Sequence, residues 1–237
     1  MITLYAGGPQ FGLPEVSPYC TKTEVHLRMA GLPYRKVPAH PGQSPKGQLP
    51  FMDDGGEVVA DSTFIRLHLE RRYGIDFDEH LTARQRAEAW AIERMIENHL
   101  GWVGAWHRFM DEENFARGPA HWFDGVPEAE RAGYVTRLKE NVRDRLLAVG
   151  IGRHAPDEIV MLGKRSLDAL AVVIGDGPYL MGGKPCGADA TTFAMLVSVM
   201  NPFFDGPLRD LAAADRRLTA YVDRMMREFY PDHGWTL

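Results

Sequence analysis

Apolar and polar positions alternate with a period of two in four short stretches of the first 76 residues, then switch to a period of three to four from about Leu81 onward. "ITLYA" at 2–6, "PYRKVPA" near 34–38, "LPFMDD" and, after the Asp54-Gly55 turn, "GEVVAD" read as strands. Ser17 followed by Pro18 reads as the cap and first position of a helix that runs to about Ala30 and ends at Gly31. Asp61 or Ser62 opens a second helix reaching roughly Tyr73, and "HPGQSPKGQ" is a polar irregular segment. Beyond residue 83, Trp90, Ile92, Met95, Ile96, Leu100, Val103, Trp106 and Phe109 keep a helical period, as do Val135, Leu138, Val142 and Leu146. Segments 164–175, 188–200 and 208–229 repeat it, while "DEENFARGPAHWFDGVP" at 111–127 breaks it. The expected architecture is an α/β domain over 1–76 with four strands, and an all-α domain over 83–237 with essentially none.

Composition narrows the partners. The 237 residues carry 27 Lys and Arg against 32 Asp and Glu, a formal charge of −5, with no basic block or repeating basic face, so nucleic acid is not expected. "LALAVVIG" and "FAMLVSVM" are too short to span a bilayer, and "MITLYAGG" lacks a basic leader and an apolar run, so the expected location is the cytoplasm. Cys20 and Cys186 are the only cysteines, which excludes a disulfide framework and a cysteine-ligated zinc site. The histidines form no metal-spaced cluster, so no metal is expected.

The stretch "SPYC" at 17–20 puts a hydroxyl and a thiol at a helix start, where free N–H groups and the helix dipole favour negative charge. With serine in place of a first cysteine, a dithiol redox motif is disfavoured. Ser17 can donate to a substrate thiolate or act only as a cap, and Cys20 can be a nucleophile or a small buried apolar residue.

Four features taken in order, "SPYC", "QLPFM" at 48–52, "ADS" at 60–62 and "CGADATTFAML" at 186–196, resemble the glutathione transferase superfamily over nearly the whole chain. "SPYCTKTEVHLRMAGLPY" and "GPYLMGGKPCGADATTFAMLVSVM" look most like its metaxin-like branch, which includes the failed-axon-connections proteins and bacterial relatives. The resemblance implies a thioredoxin-like domain at 1–76, a cis Leu49–Pro50 bond, and backbone pairing of Leu49 with the cysteinyl part of glutathione. It implies that Asp61 and Ser62 receive the γ-glutamyl end, and that the glycyl carboxylate takes a donor from the loop at 39–48, Lys46 first and Gln43 second. Asp189 matches a buried capping aspartate of structural role, with Cys186 in place of the usual hydroxyl. Tyr5, near the end of the first strand, resembles the tyrosine that serves the thiol in several transferase classes, and ranks below Ser17.

His99, Trp102, Trp106 and Phe109 follow three- and four-residue steps and are expected to share one helix face, either lining a cleft for an apolar electrophile or packing against another surface. Trp122 or Phe123, in the 111–127 break, is a candidate lid. The expected activity is glutathione-dependent transfer to a small apolar electrophile, with glutathione as cosubstrate. The alternatives are a non-catalytic binding protein of the same fold and a Cys20-dependent thiol transferase or lyase. The superfamily also implies a possible homodimer.

Overall fold

The computed structural model describes residues 1–236. β1 (Ile2–Ala6), β2 (Tyr34–Pro38), β3 (Phe51–Asp54) and β4 (Glu57–Ala60) form one sheet in the order β2-β1-β3-β4. β1 runs parallel to β2 and antiparallel to β3, and β3 pairs antiparallel with β4. The parallel pair needs a crossover, which α1 (Pro18–Met29) supplies. The tight β3–β4 hairpin places Gly55 and Gly56 at φ of 67° and 98°, a region where a Cβ is strained, so the "DGGE" turn is built from the residues that suit it. α2 (Ser62–Tyr73) follows, stopped by Gly74 in the left-handed conformation.

No strand is found after Ala60 among the described residues. The chain continues as α3 (Ala83–Met95), a π-helical turn (Ile96–Leu100), α4 (Gly101–Phe109), α5 (Glu112–Arg117), α6 (Glu128–Val149), α7 (Pro156–Ile174), α8 (Gly187–Val199), α9 (Pro207–Ala214) and α10 (Arg216–Phe229). The α/β-plus-helical expectation holds. Three local expectations change. The helix expected at 164–175 begins at Pro156, because proline at the first helical position starts a helix instead of breaking it. The run at 208–229 is two helices, since Asp215 leaves helical geometry and its carboxylate caps Arg217 N–H at 2.9 Å. The break at 111–127 holds α5, capped by Asp111, and a short 3-10 turn at Pro119–Phe123. No described helix is long and apolar enough to cross a membrane.

Two apolar cores result. Ile2, Leu4, Cys20, Leu27, Met52, Ile65 and Leu69 fill the space between sheet and helices, each fully buried large side chain contributing on the order of 2 kcal/mol. The helical core gathers around Leu100, Val103, Leu170, Phe193, Leu196 and Tyr221, and takes Val25 from α1. Between the cores lies a buried ionic network. Lys22 Nζ, 1% exposed, meets Glu93 at 3.2 Å and Glu97 at 2.7 Å; Arg66 bonds the other oxygen of Glu93 at 2.8 Å and also pairs with Glu70 and Asp78. Thr191 donates to Glu93 at 3.1 Å, and Gly187 N–H to Asp78 at 2.9 Å. A Cβ on Gly187 would sit 2.3 Å from the Arg66 guanidinium, so glycine is what lets α8 approach this closely. Asp189, fully buried, accepts from Cys186 N, Leu180 N and Tyr221 Oη, each at 2.8 Å, a structural knot at the start of α8.

Candidate active site

A cleft of about 1320 Å³ separates the sheet side from the α3–α4 wall. Ser17, Leu49, Asp61 and Ser62 all reach it from the sheet side. Ser17 has extended geometry (φ −99°, ψ 123°) and its backbone oxygen accepts from Cys20 and Thr21 N–H at 3.0 Å, yet its hydroxyl makes no cap bond. The side chain has only the Cys20 thiol, a weak partner, nearby and stays available to a ligand in the cleft. Cys20 itself is completely buried in the sheet-side core, and burial, followed by the Glu15 charge, pushes its thiol far above the usual range.

The Leu49–Pro50 bond is cis, and the Leu49 amide and carbonyl take no protein partner among the described residues, although Pro50 O accepts from Asp61 N at 3.2 Å. Leu49 therefore offers an open donor and acceptor to an extended peptide. Asp61 adopts φ 86°, a strained value for a residue with a Cβ, and its carboxylate is held three ways, by Thr63 N and Phe64 N and by Gln48 Nε2 at 3.1 Å. Ser62 follows it, 4% exposed, at the start of α2. An acid beside helix-terminal donors suits the ammonium and carboxylate of a γ-glutamyl group, and the open Leu49 backbone suits its peptide, so the residues present fit glutathione.

The other sequence candidates divide between the cleft and its surroundings. Tyr5 lies off the cleft, stacked on Phe51 at 4.3 Å. On the 39–48 loop, Lys46 Nζ lies 4.0 Å over the Phe64 ring and Gln43 accepts from His40 N; the loop residues that reach the cleft are Ala39, His40, Pro41, Gly47 and Gln48. On the helical wall, Trp102 and Phe109 reach the cleft, while Trp106 packs toward the helical core and His99 Nδ1 meets Ser166 at 3.0 Å on α7. The face that lines the cleft runs through Asn98, Gly101, Ala105 and Arg108 instead. His99 itself lies in the π-helical turn at Ile96–Leu100, whose extra residue per turn shifts it off the face that a regular three-residue step to Trp102 assigns it. Trp122 closes the far rim: its Nε1 donates to Gln10 at 2.7 Å, and its ring contacts Phe109 (5.7 Å) and Phe11 (6.3 Å).

Arg108 and Glu15 are the residues that sequence reasoning missed. Arg108 extends the i, i+3, i+4 series from Asn98 and was legible in that spacing. Glu15 is not part of any pattern. It is 1% exposed behind Ser17, where it accepts from Gly8 N at 2.9 Å and Ser17 N at 3.3 Å, with Lys36 at 3.9 Å. Burial pushes its carboxyl up to about 7, against the pull of the Gly8 N–H and Lys36.

The folded chain thus keeps a proton that the unfolded chain releases near 4.5, and stability falls as pH rises through 7. The full loss is about 3 kcal/mol. Urea unfolding should show wild type losing stability between about pH 5 and pH 8 relative to Glu15→Gln, whose profile is flatter. Parallel profiles would remove Glu15 as the source.

Residues 18–114 match the family model for the glutathione S-transferase N-terminal domain, and residues 163–225 match that for the C-terminal domain. The chain is 32% identical over 240 residues to Failed axon connections of Drosophila melanogaster, covering 93% of this chain and 56% of that protein, so it spans little more than half of that relative. It is 28% identical over 247 residues to the isoprene-epoxide–glutathione S-transferase of Rhodococcus sp. (strain AD45), covering 97% of this chain and 99% of that one. Among solved structures, the β-etherase LigF from Sphingobium sp. strain SYK-6 superposes with a TM-score of 0.70 at 19% identity, over 98% of this chain and 99% of that one.

Proposed function

The chain belongs to the glutathione S-transferase superfamily, and we propose that it binds glutathione along Leu49, Asp61 and Ser62, holds its thiolate at Ser17, and transfers the sulfur to a small apolar electrophile. The observation that carries this reading is the uncommitted Ser17 hydroxyl, at a helix start, in one cleft with the open Leu49 backbone and the Asp61-Ser62 pair. The Ser17 hydroxyl donates toward the sulfur, and the α1 terminus favours the anion, so the thiol ionises more readily than in water. Asp61 and the first turn of α2 orient the γ-glutamyl end, and Leu49 fixes the peptide, which brings the sulfur to a defined place. Trp102, Phe109 and Trp122 offer apolar surface to the second substrate, and the name of the Rhodococcus relative supports an epoxide.

In this reading, residues 1–76 are the glutathione-binding domain and 83–237 the electrophile side. The complete burial of Cys20 supports Ser17 over a cysteine nucleophile. Phe64 and Leu67, both about half exposed and one turn apart on α2, offer an apolar edge on which two copies can pair, a point for sedimentation velocity.

Calorimetric titration with glutathione, combined with the ultraviolet absorbance of the bound thiolate, tests the proposal. Saturable binding with a lowered thiol pKa, and formation of a thioether with an epoxide, is the expected result. No binding by the intact chain would sink it, and binding without turnover on any electrophile would leave the non-catalytic alternative.

A further inference from the structure

Arg108 carries a positive charge that no acidic side chain neutralises among the described residues. Its Nη1 donates to the Val16 carbonyl at 3.1 Å, its Nη2 to Ser198 Oγ at 2.8 Å, and its guanidinium lies 5.0 Å from the Phe204 ring centre, all neutral partners. The contrast within the molecule is clear, because buried Lys22 has two carboxylates and Arg66 has three. Burial alone lowers the hold of Arg108 on its proton, to about 10, the sign of a cation lacking an anion in a poorly solvated place.

Arg108 lines the cleft and is half-buried, so the guanidinium has a route to a ligand. Of its five N–H donors, two are used, leaving three. Its anchor on Val16 sets it one residue from Ser17, beside the aromatic pocket of Phe11, Phe109, Trp122 and Phe204. A lone cation at the junction of the thiol site and the apolar pocket suits a reaction in which negative charge travels from sulfur to the far side of the carbon under attack.

We propose that Arg108 contacts the oxygen of the electrophile and receives the negative charge that develops there, so that the chain favours electrophiles that break a C–O bond, epoxides above all, over those that expel a halide. This rests on the glutathione-transfer reading above. As the sulfur lone pair forms the C–S bond, the ring C–O bond breaks and its electron pair passes to oxygen. The resulting alkoxide takes a proton from water, which balances the proton the thiol gave up on ionising, and the product is a β-hydroxy thioether. An alkoxide is a poor leaving group, so a poorly solvated guanidinium donor strengthens its bond as the transition state forms. Iodide leaves without such help.

The test compares wild type, Arg108→Gln and Arg108→Lys on 1,2-epoxyhexane and on iodomethane, with glutathione affinity and bound-thiolate absorbance measured alongside. Arg108→Gln should lose about 10²-fold in kcat/KM on the epoxide, mostly in kcat, and only a few-fold on iodomethane, with glutathione binding and thiolate absorbance kept. Arg108→Lys, which keeps the charge, should recover a good part of the epoxide rate relative to Arg108→Gln while the iodomethane rate moves little, whereas a purely architectural hold on Val16 and Ser198 would move both electrophiles together. Equal losses on the two electrophiles, or loss of the thiolate signal, would assign Arg108 to positioning Ser17 and overturn the proposal. If the Gln variant does not fold, equal losses on both electrophiles in the Lys variant overturn it in the same way. A wild type that binds glutathione and turns over iodomethane but not the epoxide refutes this inference alone, whereas failure to bind glutathione refutes the reading beneath it.

Discussion

Lys22→Met should cost about 3–5 kcal/mol of folding stability, measured as a lowered urea midpoint with an unchanged slope. The substitution preserves the apolar stem and removes the one ammonium that bonds both Glu93 and Glu97, carboxylates only 3% and 7% exposed on their side chains. Arg66 still holds Glu93 and Arg94 still holds Glu97 at 2.9 Å, so the residual charge is not wholly orphaned. Two carboxylates close together with one fewer cation nonetheless repel and must desolvate unpaired. Replacing Lys22, Glu93 and Glu97 together by apolar residues of similar shape should return much of the loss, since the penalty lies in breaking the group and not in the group being absent. A loss under 1 kcal/mol in the single variant would mean that water or rearranged arginines satisfy the site.

Ser17→Ala should lower turnover about 10²-fold, the usual effect of removing one donor to a developing or resident anion. Glutathione affinity should change much less, because Leu49 and Asp61 carry the peptide, and the bound thiol should titrate at higher pH than in wild type. Stability should barely move. A serine before Pro18 reads in the sequence as a cap, whose loss would cost on the order of 1 kcal/mol, but the hydroxyl makes no cap bond here. Replacing Cys20 with Ala, by contrast, should show itself in stability through a packing defect. Full activity in Ser17→Ala with an unshifted thiol pKa would remove Ser17 from the mechanism.

The strands were legible because each pairs a period-two run with a turn that only a few residues make: Gly55-Gly56 in the hairpin, Pro18 and Gly31 at the ends of α1. The Asp189 knot was legible through the resemblance of "CGADATTFAML", and its geometry explains why: a carboxylate three residues after the cap reaches back to the Cys186 N–H. What escaped was anything that depends on rotation about a helix axis or on burial by distant residues. His99 fell off the cleft face because a π-helical turn leaves no mark in the apolar spacing, and Trp106, on regular α4, packs against the helical core instead. Asp215 looked like one more polar position in a helical run, although it ends one helix and caps the next. Glu15 reads as a loop acid, and nothing in its local spacing marks its burial or its bonds to the Gly8 and Ser17 N–H groups.

The way Trp122 is fastened differs in kind from the way the two halves of the molecule are joined. Its indole holds the rim through one exposed bond to Gln10 and loose ring contacts, whereas parting the sheet side from the helical side would take both carboxylates from buried Lys22 and break Arg66 from Glu93 at once. The first event costs about the 1 kcal/mol of a surface hydrogen bond and the second many times that. Asn114 bonds the His107 carbonyl and both backbone groups of Asp205, and Arg117 bonds the Phe203 carbonyl and the Asp205 carboxylate, so the base of the 111–127 segment is anchored many times over while the indole near its tip hangs on a single bond.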